Sequence, residues 1–190
     1  SINDVVRPGI VHRLDSTTSG LMVIARDVKS LHSLQISFQE RLVDKIYLAL
    51  ACGRVITDKI SVRVPIGRDY KNRYRMAVDP DGKDSWTDVE PLWDIPPYSF
   101  ISCRLHTGRT HQIRVHLRHL GAPLVGDTLY GFKRARQGKV EKILGDRVFL
   151  HAWRLSFPHP ITGENMSFRS TLPSDLISSL KELLSRKGGL

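Results

Sequence analysis

An α+β fold with a largely antiparallel or mixed sheet is what this sequence predicts, and three observations predict it. Strand patterns outnumber helical ones along the chain. The helical segments do not alternate with strands in the regular manner of parallel βαβ units. A length of 190 residues with 41% hydrophobic content provides for one sizeable core. A single domain over residues 1–190 is therefore expected, without internal repeats or a linker-like stretch.

Taken in order, Pro8-Gly9 signals a turn and introduces a polar loop, His12 to Ser19, flanked by apolar residues on both sides (Ile10, Val11 and Leu21 to Ala25). The pattern reads as two buried strands joined by that loop, the second running from Leu21 to Arg26. Asp27 is placed to cap a helix whose apolar face is Leu31, Leu34, Phe38 and Leu42. Lys45 to Val55 alternates as a strand, with Ile46, Leu48 and Leu50 on one face and Tyr47, Ala49 and Ala51 on the other. Ser85 to Asp94 and Ser99 to His106 read as paired strands joined at Pro96-Pro97. Helical spacing through Ile113, Leu117 and Leu120 predicts a helix over Thr110 to Leu120, stopped by Gly121 and Pro123. Val148 to Phe157 and Asn165 to Arg169 are strands about a turn, and Ser174 caps a last helix with Leu176, Ile177, Leu180, Leu183 and Leu184 inward.

The formal charge of +10 points to a polyanionic partner, nucleic acid before membrane, because no basic amphipathic helix stands out. Three segments carry the excess. Arg68 to Arg75 interleaves Arg68, Lys71, Arg73 and Arg75 with Tyr70 and Tyr74, a pattern that suits a phosphate backbone and a base, or equally a solvated hairpin connection. Ile95 to Gly126 holds no acidic residue but has Arg104, Arg109, Arg114, Arg118 and four histidines. Lys133 to Lys142 reads as an exposed basic loop. His106, His111, His116 and His119 lack a metal-ligand spacing and a nearby carboxylate, so they are read as structural or RNA-contacting, and no metal is expected.

Within the first loop, Asp15 lies close in sequence to Arg13 and His12. A carboxylate beside a guanidinium stays ionised and can serve as nucleophile or base. An Asp followed by Ser and Thr is also the pattern of a turn or cap residue, and Gly20 that of a position needing positive φ or a close backbone approach. A hydrolase built on Ser19, His12 and Asp15 is disfavoured, since no G-x-S-x-G elbow is present and one loop would have to align all three.

His12-Arg13-Leu14-Asp15, two further residues and Thr18-Ser19-Gly20-Leu21 resemble the signature of the RluA-type RNA pseudouridine synthases. Lys45-Ile46-Tyr47-Leu48-Ala49 and Thr107 to His116 match two further motifs of that family in the same order, and Gly126-Asp127, Tyr130-Gly131, Leu150-His151-Ala152 and Pro158-His159-Pro160 follow suit. The resemblance runs from about Pro8 to Phe168. It implies the pseudouridine synthase fold, a mixed, largely antiparallel sheet with flanking helices and a central active-site cleft. It further implies isomerisation of specific uridines in structured RNA, with large-subunit ribosomal RNA the default substrate and tRNA the alternative, and no cofactor.

Residue by residue, the resemblance makes Asp15 the catalytic aspartate, as nucleophile or base, Arg114 its ionic partner and Tyr47 the residue stacking on uracil. Leu150 would close the apolar wall. Arg13 would occupy the place of the extruded base or hold its phosphate, and Arg109 would bind backbone phosphate. A basic RNA-binding module without catalysis explains the charge but not the ordered appearance of Asp15, Tyr47 and Arg114.

No apolar run is long enough to span a bilayer, and residues 1 to 7 lack the layout of a signal peptide. Cys52 and Cys103, without ligand spacing, fit a reduced intracellular protein. A cytoplasmic monomer is expected, or an organellar one. With only 11 residues before His12, upstream strands and any accessory RNA-binding domain are expected to be missing from this stretch.

Overall fold

A computed structural model describes residues 9–54, 56–131, 139–145 and 147–185. Its organising element is β2 (Asp44–Cys52), at the middle of a seven-stranded sheet. On one side β2 pairs antiparallel with β7 (Tyr98–Leu105), then β6 (Thr87–Ile95) and β3 (Ile60–Val62). On the other it pairs antiparallel with β8 (Leu150–Pro158), whose far edge is shared by β1 (Ser19–Gly20), parallel, and β9 (Asn165–Arg169), antiparallel. A separate hairpin joins β4 (Ile66–Arg68) to β5 (Met76–Val78). The predicted α+β class with a mostly antiparallel sheet is what the chain adopts.

Alternation along β2 divides the core as the pattern foretold. Tyr47, Ala49 and Ala51 face a cluster completed by Ile101, Cys103 and Leu150, together with Ile113 and Leu117 of α2 (Gln112–His119). Leu50 and Cys52 face the opposite cluster, with Phe149, Val140 and Leu144 of α3 (Lys139–Leu144), and Leu176 and Leu183 of α4 (Ser174–Ser185). A third cluster packs Leu34 of α1 (Val28–Gln39) on Leu155 and Phe157. Pro91 is accommodated because β3 pairs only with Thr87 to Val89, so β6 is an edge beyond that point, where a missing N–H costs no ladder bond.

Several expectations need correction. The segments around the first loop are not two buried strands: only Ser19–Gly20 is strand, Ile10 and Ile24 share a single bridge, and Ile10, Met22 and Ile24 are exposed. The apolar run there alternates, with Leu21, Val23 and Ala25 packing inward and their neighbours outward. Asp27 does cap α1, its carboxylate accepting from the Ser30 N–H at 2.8 Å, but Leu42 lies beyond the helix and is exposed. The third-motif helix begins at Gln112 because His111 sits in the left-handed region (φ 57°). Ile177 and Leu184 are exposed on α4. Arg68 to Arg75 is the hairpin connection, with Tyr70 and Tyr74 exposed. Lys139 to Lys142 belongs to α3 rather than a loop, and the rest of that basic segment lies outside the described residues.

Candidate active site

Two devices hold the loop of His12 to Ser19 against the sheet. Gly20 (φ +111°) lies so close to β8 that a Cβ there would meet the Ala152 carbonyl oxygen at 2.3 Å, so close approach and positive φ both require glycine. His12 ties the loop's entry to its exit, Nε2 accepting from the Val23 N–H at 3.0 Å while the ring stacks on Phe38. Burial, aided by the Lys45 charge, pushes the imidazole down to about 4, so His12 is neutral and structural. Ser19 is engaged with His151 (Oγ to Nδ1, 2.8 Å) and with Arg147. A Ser19–His12–Asp15 hydrolase is thus inconsistent with the geometry.

The loop turns back on itself through the Thr18 N–H, which donates to the Asp15 carbonyl at 2.9 Å, and the Asp15 carboxylate reaches toward α2. There Oδ2 meets Arg114 Nη1 at 3.4 Å and Oδ1 lies 3.9 Å from His111 Nε2. Arg114 has a tighter partner: Nε and Nη2 form a two-pronged contact with Asp127, both at 2.8 Å. The Asp127 side chain is fully buried, and it also accepts from the N–H groups of Leu129 and Tyr130. The expected pairing of Arg114 with Asp15 therefore exists as the longer of two contacts, because Asp127 occupies one edge of the guanidinium and leaves Nη1 for Asp15. Burial opposes the charge on Arg114, but the hydrogen bonds and charge of Asp127, with Asp15 adding, raise its pKa overall.

His111 completes the group. Its Nδ1 lies 2.8 Å from the Tyr130 hydroxyl, which accepts from the Met76 N–H. With that acceptor position filled, the hydroxyl proton suits Nδ1 and leaves Nε2–H toward Asp15. Burial lowers the His111 pKa, although Asp15 pulls it upward, so the ring is neutral at pH 7.

Asp15, His111 and Arg114 line a cavity of about 560 Å³. All six residues singled out from sequence border it: Asp15, Tyr47, Arg114, Arg13, Arg109 and Leu150. Tyr47 is buried, and burial together with the Asp15 charge pushes its hydroxyl up to about 12, so it stays protonated through the physiological range. Leu150 is buried and forms apolar wall, Arg13 is exposed, and the Nε–H of Arg109 donates to the Asp84 carbonyl at 3.0 Å. Lys45 also lines the cavity, its pKa lowered by burial and by Arg41, with Asp44 opposing. Among the described residues, no group of three or more His, Cys, Asp or Glu could hold a metal ion.

Sequence reasoning assigned no role to Asp127 or Tyr130 and read His111 only as structural or RNA-contacting. Gly126-Asp127 and Tyr130-Gly131 were visible as matched residues, but nothing in their local pattern showed that they close on Arg114 and Asp15.

A carboxylate beside this cavity also supports a stability prediction. Desolvation raises the Asp88 pKa, but hydrogen bonds from His106, Ser61 and Trp86 outweigh it and bring the group to about 2 from an ordinary 3.8. A depressed folded-state value means the contribution is present above pH 3.8 and lost as pH falls toward about 2. Acid titration of unfolding is expected to show this loss in the wild type and to lack it in Asp88→Asn.

The model of the RNA pseudouridylate synthase family matches residues 1–119. An uncharacterized RNA pseudouridine synthase of Chloroflexus aurantiacus is 46% identical over 186 residues, 98% of this chain and 57% of that protein. The ribosomal large subunit pseudouridine synthase D of Neisseria meningitidis serogroup A is 46% identical over 187 residues, 96% of this chain and 50% of that one. Among solved structures, human RNA pseudouridylate synthase domain containing 1 superposes with a TM-score of 0.75 at 29% identity, over 95% of this chain and 80% of that one. The chain spans 50–59% of the length of the first curated relatives it matches.

Proposed function

The chain belongs to the RNA pseudouridylate synthase family, of the RluA type, and from that premise we propose that it converts uridines in large-subunit ribosomal RNA to pseudouridine, with Asp15 as the catalytic residue. The observation that carries this reading is the convergence of Asp15, Arg114 and Tyr47 on one cavity beneath a basic rim. The relatives named for the ribosomal large subunit support the choice of RNA.

In the proposed reaction the glycosidic bond from uracil N1 to ribose C1′ breaks, the base turns over, and a bond from C5 to C1′ forms while the C5 proton is lost and N1 gains one. Asp15 starts the reaction, as nucleophile or as the base that takes a ribose proton. Arg114, fixed by Asp127, keeps a cation against the carboxylate and orients it, and His111 presents a neutral N–H on its other side. Tyr47 stacks on the uracil and Leu150 closes the apolar wall. A uridine in structured RNA must leave its stack to enter, at a cost of a few kcal/mol. Arg13 at the rim is placed to fill the gap or hold the displaced phosphate, and Arg109 to bind backbone phosphate.

Tritium release tests this. Transcripts of large-subunit ribosomal RNA and of tRNA, each labelled at uridine C5, are incubated with the protein. Release from the ribosomal transcript is expected, release from tRNA alone would change the substrate, and release from neither would refute the reading.

A Tyr47 pair of variants tests the stacking role. Tyr47→Phe is expected to keep activity within about tenfold, and Tyr47→Ala to lose about a hundredfold, the scale of one base–aromatic stack. Tritium release measured beside a melting curve checks this, since emptying a buried aromatic position also destabilises the fold by about 3–5 kcal/mol.

A further inference from the structure

On the rim of the same cavity, outside the Asp15 group, Arg63, Trp86 and His106 form a column. The imidazole of His106 stacks on the Trp86 ring with centroids 3.7 Å apart and planes 17° from parallel. The Arg63 guanidinium carbon lies 3.9 Å from the same Trp86 ring. Two groups this near one centroid cannot share a face, so Trp86 is covered on both sides.

Asp88 fixes the rings edge-on. Its Oδ1 accepts from the Trp86 indole N–H at 2.9 Å and its Oδ2 lies 2.8 Å from His106 Nε2. Ser61 donates to the same carboxylate at 2.8 Å. Pairing of β6 with β7 sets the spacing, with the His106 N–H donating to the Trp86 carbonyl at 3.2 Å. His106 lines the cavity whereas Trp86 stands behind it. One face of the ring is on Trp86 and Nε2 is on Asp88, so these contacts leave its opposite face for a ligand in the cavity.

We propose that this face of His106, backed by Trp86 and Arg63, is a stacking platform for the nucleobase next to the extruded uridine. The inference rests on the RNA-modifying reading above. A base leaving its duplex strips its neighbour of a stacking partner, and a flat ring locked in place at the cavity mouth replaces that partner without having to be ordered on binding. The charge of Arg63 at the far end of the column favours a polyanionic strand passing over it.

The test uses Asp15→Asn protein, so that no chemistry intervenes, and a pentauridylate in which the nucleotide on either side of the central uridine is made abasic in turn. One of the two abasic oligomers is expected to bind about tenfold more weakly than pentauridylate, the lower part of the range for a single stacked base. Adding His106→Ala should weaken pentauridylate by a similar factor and abolish the abasic penalty, while His106→Phe restores both. No binding of pentauridylate, no abasic penalty, or an equal penalty with and without the His106 ring overturns the platform. If the platform fails while Tyr47→Ala still weakens pentauridylate binding, the pocket reading stands. If Tyr47→Ala has no effect and tritium release is also absent, the underlying reading falls with it.

Discussion

Asp15→Asn protein is expected to bind structured RNA with nearly unchanged affinity and to form pseudouridine at least about 10³-fold more slowly, the scale at which loss of a nucleophile or general base is felt. The substitution preserves shape and can still accept from Arg114 Nη1, which lies 3.4 Å from Oδ2 in the native protein. It removes the negative charge, and with it both roles open to the group, attack on the nucleotide and abstraction of a ribose proton. Filter binding and tritium release on the same preparation separate affinity from turnover. Residual activity within tenfold of wild type would remove Asp15 from the chemistry and leave it as a turn residue.

The second large effect concerns Asp127. Its carboxylate is wholly buried and holds the Arg114 guanidinium through two 2.8 Å contacts. Removing one partner of a buried pair strands the other, so Asp127→Ala is expected to destabilise the fold by about 3–5 kcal/mol, read from the midpoint of denaturant unfolding. Turnover should fall as well, because Arg114 loses the contact that directs Nη1 at Asp15. The two consequences come apart in the double variant Arg114→Met/Asp127→Leu. Apolar replacement of a buried pair is often neutral for stability. The part of the loss due to the stranded guanidinium should therefore return, the Leu129 and Tyr130 N–H groups still lacking their acceptor, while activity does not. Recovery of both would show that the pair acts only through packing.

The sheet was legible because its determinants are local. Strict alternation in Ile46 to Ala51 told which side chains share a face, and the cluster on the Tyr47 side is the one that lines the cavity. Asp27 before an apolar helical face marked a helix start in the same way. Expectations failed where burial depends on what lies alongside. Leu42, Ile177 and Leu184 fall on apolar faces by spacing yet stay exposed at the margin of the packing, and Met22 and Ile24 look like core until the edge position of their segment is known. The site divides similarly. Asp15, Tyr47 and Arg114 could be named because they sit in compact motifs. His111 shares the motif of Arg114, but its approach to Asp15, like that of Asp127 to Arg114, depends on distances set by α2 and the turn that follows it. The Trp86–His106 stack depends on the register of β6 against β7, which periodicity alone does not reveal.

The proposed reaction requires the Asp15 carboxylate to meet the sugar of a uridine taken out of its stack. A crystal structure of Asp15→Asn protein bound to the transcript that releases tritium tests it most directly. The expected complex has a uracil turned out of the helix and lying on Tyr47, with its ribose within about 3.5 Å of residue 15, the separation of a reactive pair. A target uridine still stacked in its RNA, or a ribose facing some other side chain, would contradict it.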